Sequence, residues 1–275
     1  MSRIRRAQDS LRFFQTYIPL AWGLLQVASE RKVDFSDRLA ASIRDRGDKP
    51  ALIGDSGSLT WKELDELANR IAHWAISEGL RRGDVVALLM ENRPEYVAVW
   101  LGLSRVGVVT ALLNTNLLGE RLAHCMREAD TRHWIVGEEL VDAAASALPE
   151  LGDGLRVFVA GGSDISGIDL DATRRTIASA ESFDDAISDQ ATHPIDERFR
   201  ADRRGKDGLF LIYTSGTTGL PKAARVSHTK ALSAGTAAWK LQGLDANDRL
   251  YCCLPLSHGA GGMMAAGAAL FGVLA

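Results

Sequence analysis

Leu209-Phe210-Leu211-Ile212-Tyr213-Thr214-Ser215-Gly216-Thr217-Thr218-Gly219-Leu220-Pro221-Lys222 changes character halfway along. Its first four residues are an unbroken apolar run, the pattern of a buried strand. The remainder holds the hydroxyls of Thr214, Ser215, Thr217 and Thr218, the glycines Gly216 and Gly219, and Lys222, with no bulky apolar residue before Leu220. Ala223-Ala224-Arg225-Val226 is then able to resume as a second strand. Glycine lets a backbone take positive φ and come close to a ligand. Backbone N–H groups and hydroxyls then offer donors to phosphate oxygens, and the lysine offers a point charge. The same residue types also populate an ordinary polar hairpin turn, so composition alone leaves both readings open. A Walker loop is excluded, because Pro221-Lys222-Ala223 stands where Gly-Lys-Ser/Thr is needed.

Upstream of this stretch the chain alternates between strand-like and helix-like segments from Lys49 onward. Ala51-Leu52-Ile53 and Ser58-Leu59-Thr60 are short strands around a turn at 54–57. Thr60-Trp61-Lys62-Glu63 has the form of a capping box, opening a helix whose stripe is Leu64, Leu67, Ile71 and Trp74 and which stops at Gly79. Val85 to Met90 is continuously apolar, as in a strand buried on both faces. Pro94 suits the first turn of the next helix. Val108 to Leu113 is another strand, followed by a turn at Asn114-Thr115-Asn116 and a helix through His124 to Glu128. Trp134-Ile135-Val136 and Val157-Phe158-Val159 continue the alternation. The fold class expected is α/β: a parallel sheet with helices on both faces. Residues 163–207 break the rhythm and are expected to form a solvated connector with one short helix near Phe183 to Ile187. After the loop come a helix from about Thr229 to Lys240, a strand from Arg249 to Leu254, and a small-residue segment from Gly259 to Ala275 expected to pack as an internal helix.

Residues 1–47 form a lead-in. Phe13, Phe14, Tyr17, Ile18, Ala21, Leu24, Leu25 and Ala28 recur at helical spacing, behind Arg3, Arg5 and Arg6. Arg12, Gln15 and Gln26 interrupt any spanning run, and Ala28-Ser29-Glu30 makes a poor cleavage site. Two readings stay open for residues 11–28: an amphipathic helix packed on the protein's own core, or one lying on a bilayer surface. The location expected is cytoplasmic, with peripheral contact on the inner face of the cell membrane if the second reading holds.

A net charge of −3 and the lack of a basic stripe with interleaved aromatics give no reason to expect nucleic acid. Cys125, Cys252 and Cys253 make no disulfide framework and suit a reducing compartment. The adjacent pair reads as core filler on a strand. The histidines show no metal-binding spacing, so no metal-ligand set is expected from the chain.

The Tyr213–Lys222 stretch resembles the phosphate-binding signature of the adenylate-forming superfamily, which comprises acyl-CoA synthetases, luciferases and peptide-synthetase adenylation domains. Ala223 departs from the glycine most members carry. Pro221-Lys222-Ala223-Ala224 is similar to the branch of fatty-acid transport proteins and very-long-chain acyl-CoA synthetases. Leu59-Thr60-Trp61-Lys62-Glu63-Leu64 looks like the family's first core motif. Asn92-Arg93-Pro94-Glu95 and Leu113-Asn114-Thr115-Asn116-Leu117 resemble the transport branch, and Cys253-Leu254-Pro255-Leu256-Ser257-His258 looks like the core motif after the phosphate loop.

The resemblance implies that residues 48–275 are the N-terminal part of an AMP-binding (adenylation) domain that activates a fatty acid with ATP and Mg²⁺ and passes it to coenzyme A. It implies that Tyr213, Thr214, Ser215, Gly216, Thr217, Thr218, Gly219 and Lys222 bind the nucleotide phosphates. His258 would lie beside the carboxylate and the adenylate, with Ser257 replacing a common aromatic residue; His228 reads as structural. The family's adenine and ribose motifs and its mobile C-terminal domain belong past Ala275, so this chain alone is expected not to make acyl-CoA. An inactive fragment keeping its phosphate loop, and a CoA ligase of short-chain or carnitine type, remain the alternatives.

Overall fold

The computed structural model describes residues 46–161, 175–200, 203–215, 219–245 and 247–271, together with Ala21, Gly23, Leu24, Ile43 and Thr173. An antiparallel hairpin comes first: β1 (Pro50–Gly54) and β2 (Gly57–Thr60). Thr60 then caps α1 (Trp61–Ser77) with the reciprocal bonds its sequence promised. Its Oγ accepts from the Glu63 N–H at 3.2 Å, and the Glu63 carboxylate accepts from the Thr60 N–H at 2.8 Å.

The main sheet has seven strands: β3 (Val85–Leu89), β4 (Val109–Leu112), β5 (His133–Gly137), β6 (Arg156–Ala160), β7 (Ala180–Ser182), β8 (Gly208–Ser215) and β9 (Pro221–Ser227). Their spatial order is β7-β6-β5-β3-β4-β8-β9, and every pairing is parallel except β8 with β9. Between them run α2 (Pro94–Val106), α3 (Gly119–Ala129), α4 (Val141–Ala147) and α5 (Phe183–Ser188), and after β9 comes α6 (His228–Gln242).

Side chains alternate across the sheet and divide the core in two. Val86, Leu88, Ile135, Phe158, Phe210 and Ile212 face α1, α2, α5 and α6. Ala87, Leu89, Trp134, Val136, Val157 and Tyr213 face α3 and α4. On the first face Trp74 meets Phe158 and Phe183 edge-on, each with centroids 5.0 Å apart. Helices α1 and α2 cross so closely that a Cβ on Gly102 would lie 2.6 Å from Ile71 Cβ and 2.7 Å from the Ala68 carbonyl oxygen. The α/β class with helices on both faces is thus the observed architecture.

Three expectations need correction. The stretch at about 163–207 is not simply a solvated connector. In its described part Ile177, Ala180, Phe183, Ile187 and Ile195 are buried, and β7 extends the sheet beyond β6. A few well-placed apolar side chains suffice there because β6 presents an edge and α1 a face to cover. Arg249 to Leu254 forms no strand, because among the described residues no neighbouring strand offers it a ladder. Cys253 is accordingly exposed and Cys252 half-buried, so neither is core filler, whereas Cys125 is fully buried.

The closing small-residue segment does pack internally, as a π-helical turn over Ala260–Ala266 running into α7 (Gly267–Phe271). A Cβ on Gly235 of α6 would meet the Gly267 backbone at 2.7 Å, so the two helices touch backbone to backbone. Among the described residues no helix is long and apolar enough to cross a membrane. The amphipathic helix expected at residues 11–28 lies outside the described residues except for Ala21, Gly23 and Leu24. Of these Gly23 is buried, its Cβ position 3.1 Å from Thr236 Cγ2 on α6.

Candidate functional site

A parallel sheet presents all its strand ends together, and ligands of such sheets sit beyond the C-terminal ends, where the strand order reverses. Here the reversal falls between β3 and β4: the chain steps from β3 to β4 on one side, then crosses back to place β5 on the other side of β3. β8 is the next strand past β4. The loop carrying the hydroxyls and Lys222 therefore projects from the C-terminal end of β8, two strand spacings, or roughly 10 Å, from the end of β3.

The hairpin β8–β9 sets the register of the loop's two arms. Thr214 lies opposite Lys222, and Ser215 opposite Pro221. Continuing the alternation of Phe210 and Ile212, Thr214 and Lys222 belong to the face that α2 and α6 cover, and both are exposed at its rim. Gly219 has φ +89, a conformation that side chains rarely adopt, and nothing crowds its Cβ position. Gly216, Thr217 and Thr218 lie outside the described residues, as does the side chain of Ser215.

Tyr213 is placed differently from its neighbours. It is buried on the opposite face and donates its hydroxyl to the Cys125 carbonyl of α3 at 2.7 Å. Burial, with added repulsion from Cys125 and Glu128, pushes its phenol well above the usual tyrosine range, so it stays a neutral donor. Burial likewise pushes the Cys125 thiol up to about 12. The adjacent α3 residue holds the other arm of the hairpin. His124 Nε2 lies 2.9 Å from the Pro221 carbonyl oxygen, an acceptor, so the ring donates there. One turn of α3 thus grips both strands at the base of the loop. His124 carried no signal of this role in the sequence, since the contact spans 97 residues.

His258 sits at the end of the turn Leu254–His258, which leads into the π-helical segment, and its side chain is exposed. Its N–H donates to the Pro255 carbonyl at 3.1 Å. This turn is tied to the connection after β3, where Asn92 bonds both Leu254 and Leu256. The structure therefore assembles the candidates on two supports along one edge of the sheet, with Thr214 and Lys222 on the hairpin and His258 on a turn anchored beyond β3. His228 is buried at the start of α6, its N–H donating to the Asp207 carbonyl at 3.1 Å.

The chemistry of this arrangement suits a polyanion. Thr214, near the end of β8, adds a hydroxyl and Lys222, opposite it on β9, a cation at a site open to solvent.

A family model described as AMP-binding enzyme matches residues 39–274. Long-chain fatty acid transport protein 1 of Rattus norvegicus is 39% identical over 220 residues, covering 79% of this chain and 32% of that protein. The very long-chain fatty acid transport protein of Cochliobolus heterostrophus is 31% identical over 255 residues, covering 88% of this chain and 36% of that protein. The chain spans about a third of the length of the curated relatives it matches. Among solved structures, an anthranilate CoA ligase in complex with anthranoyl-AMP superimposes with a TM-score of 0.74 at 24% identity, over 88% of this chain and 44% of that one. At that identity the likeness concerns the fold. With most of its length inside the matched region, the chain belongs to the AMP-binding enzyme family.

Proposed function

We propose that the chain contributes the phosphate-holding part of an enzyme that activates a fatty acid. A carboxylate oxygen attacks the α-phosphorus of ATP, the bond to the β-phosphate oxygen breaks, and pyrophosphate leaves from an acyl-adenylate. The thiolate of coenzyme A then attacks the acyl carbon and AMP leaves. The observation that carries this reading is the hairpin β8–β9, which sets exposed Thr214 and Lys222 opposite one another at the C-terminal edge of the sheet.

The difficulty in the first step is bringing one anion up to another. Two like charges about 4 Å apart repel by about 4 kcal/mol at an effective dielectric near 20. Lys222 and the donors of residues 214–219 would offset that repulsion by holding the β- and γ-phosphates, with Mg²⁺ sharing their charge. His258, on the neighbouring support, would lie beside the carboxylate. Relatives that are long-chain and very long-chain fatty acid transport proteins support an acyl substrate.

The test has two arms. Binding of ATP with Mg²⁺, and of pyrophosphate, to the purified chain is measured for wild type and Lys222→Ala. Loss of a charge-assisted bond costs about 1.5–3 kcal/mol, so affinity should fall tenfold or more. Carboxylate-dependent ATP–pyrophosphate exchange in the full reading frame, run from short to long acyl chains, then reads the substrate class. Unchanged nucleotide affinity in the variant would remove Lys222 from the site. Exchange driven only by short acids would replace the fatty acid.

A further inference from the structure

The turn Leu254–His258 has a supply problem. It follows a run, 249–253, that pairs with no strand among the described residues, so no ladder there supplies partners to the turn's backbone polar groups. Asn92 replaces that missing strand. Its Nδ2 donates to the Leu254 carbonyl at 2.9 Å, and its Oδ1 accepts from the Leu256 N–H at 2.8 Å. A side-chain amide is planar, with one donor side and one acceptor side, and so copies a peptide group of a neighbouring strand. The two bonds straddle Pro255, which has no N–H to offer.

The other side of the turn is closed by glycine. A Cβ on Gly261 would collide with the Pro255 carbonyl oxygen and stand 2.9 Å from that of Leu254, and one on Gly262 would stand 2.5 Å from that of Leu256. The Gly262 N–H donates to the His258 carbonyl at 2.8 Å. The turn is therefore clamped between Asn92 and the first residues of the π-helical segment, while the His258 side chain stays exposed.

Asn92 is itself held on both flanks. The Glu91 N–H donates to the Glu139 carboxylate at 2.8 Å, and buried Arg93 donates to the Ala160 carbonyl at 3.1 Å and to Glu139 at 3.4 Å. Glu139 and Ala160 stand at the C-terminal ends of β5 and β6, so the clamp is built on the same sheet edge as the phosphate hairpin.

We propose that Asn92 is a positioning residue that fixes the His258 turn over the end of β3, setting where His258 meets the substrate carboxylate. The inference rests on the reading of His258 given under the proposed function. In the full reading frame, Asn92→Ala should lower kcat/KM for the carboxylate on the order of a hundredfold, the scale of a misplacement of about 1 Å, and leave the KM for ATP at its wild-type value. Asn92→Asp, which keeps the acceptor for Leu256 and loses the donor to Leu254, should fall between. In a His258→Ala background Asn92→Ala should cost nothing further, because the two act through one position. On the 275-residue chain, amide hydrogen exchange at Leu256 should lose its protection in Asn92→Ala.

Full activity in Asn92→Ala, or losses that add to those of His258→Ala, would overturn the proposal while leaving the fatty-acid reading intact. A wild-type protein without carboxylate-dependent exchange would overturn that reading together with the role of His258. In that event retained protection at Leu256 in Asn92→Ala would also remove the clamp, and its loss would leave the clamp standing.

Discussion

Tyr213 leads directly into the proposed phosphate loop yet turns its hydroxyl the other way, into the Cys125 carbonyl. Its place in the motif is therefore to hold β8 against α3, with His124 doing the same for β9. Tyr213→Phe should lower unfolding free energy by about 0.5–1.5 kcal/mol, the net worth of one hydrogen bond, as read by urea denaturation. It should weaken ATP binding far less than Lys222→Ala. Unchanged stability with lost nucleotide binding would put the hydroxyl in the site instead. The loop stood out in the sequence through its ordered resemblance to a family signature, since glycines, hydroxyls and a lysine by themselves also make ordinary polar turns. It could not separate Tyr213 from Thr214, because the choice of face depends on which helix lies beneath. Asn92 was visible only as part of a short motif, since its partners lie 162 and 164 residues away.

Elements were legible where a period or a cap was strong. Thr60 and Glu63 announced α1, and the continuous apolar run before Met90 announced β3. β7 escaped because only Ala180 of its three residues is apolar, and a strand that short shows no period. The crossing of α1 and α2 was equally hidden, although its requirement is severe. Gly102→Ala should cost about 1–3 kcal/mol, because its methyl has backbone of α1 and the stem of Ile71 on top of it and neither can rotate away. Thermal or urea unfolding of the purified variant measures this. A neutral result would mean that the helices separate without loss, contrary to the burial of Ile71 and Ala68 on this face.

For the molecule as a whole, alternation predicted a parallel sheet but not its strand order, because nothing in a strand names its neighbour. The edge of the sheet opposite the candidate site, where the strands begin, carries an ion pair beside the core residues Val108 and Leu209. Arg82, ahead of β3, donates two bonds to Asp207, ahead of β8, at 2.9 and 2.8 Å. Partial burial would raise the Asp207 pKa, but the bonds from Arg82 and the Arg204 N–H, with the charge of Arg82, hold it below the usual carboxylate range. A carboxyl depressed in the fold contributes stability above its unfolded pKa, near 4, and loses it as pH falls through the lower folded value. Arg82 is 40% exposed, so the contribution should stay within about 1 kcal/mol. Asp207→Asn should show that deficit at neutral pH and converge on wild type in acid, below the folded pKa. A deficit that persists in acid would assign it to packing.

The placing of β8 beside β4 has a consequence in time. Thr110 of β4 pairs with Phe210 of β8, a separation of 210 − 110 = 100 residues. At about 5–20 residues per second, a ribosome needs roughly 5–20 s to make that interval. β3, β5 and β6 can close around β4 on its other side well before then, because their connections are local and fast. During synthesis the nascent sheet therefore waits with one edge of β4 open, its amides and carbonyls available to any passing strand. The hairpin that later holds Lys222 is the segment that ends this exposure, so the docking event that sets Thr214 opposite Lys222 also covers the open edge of β4.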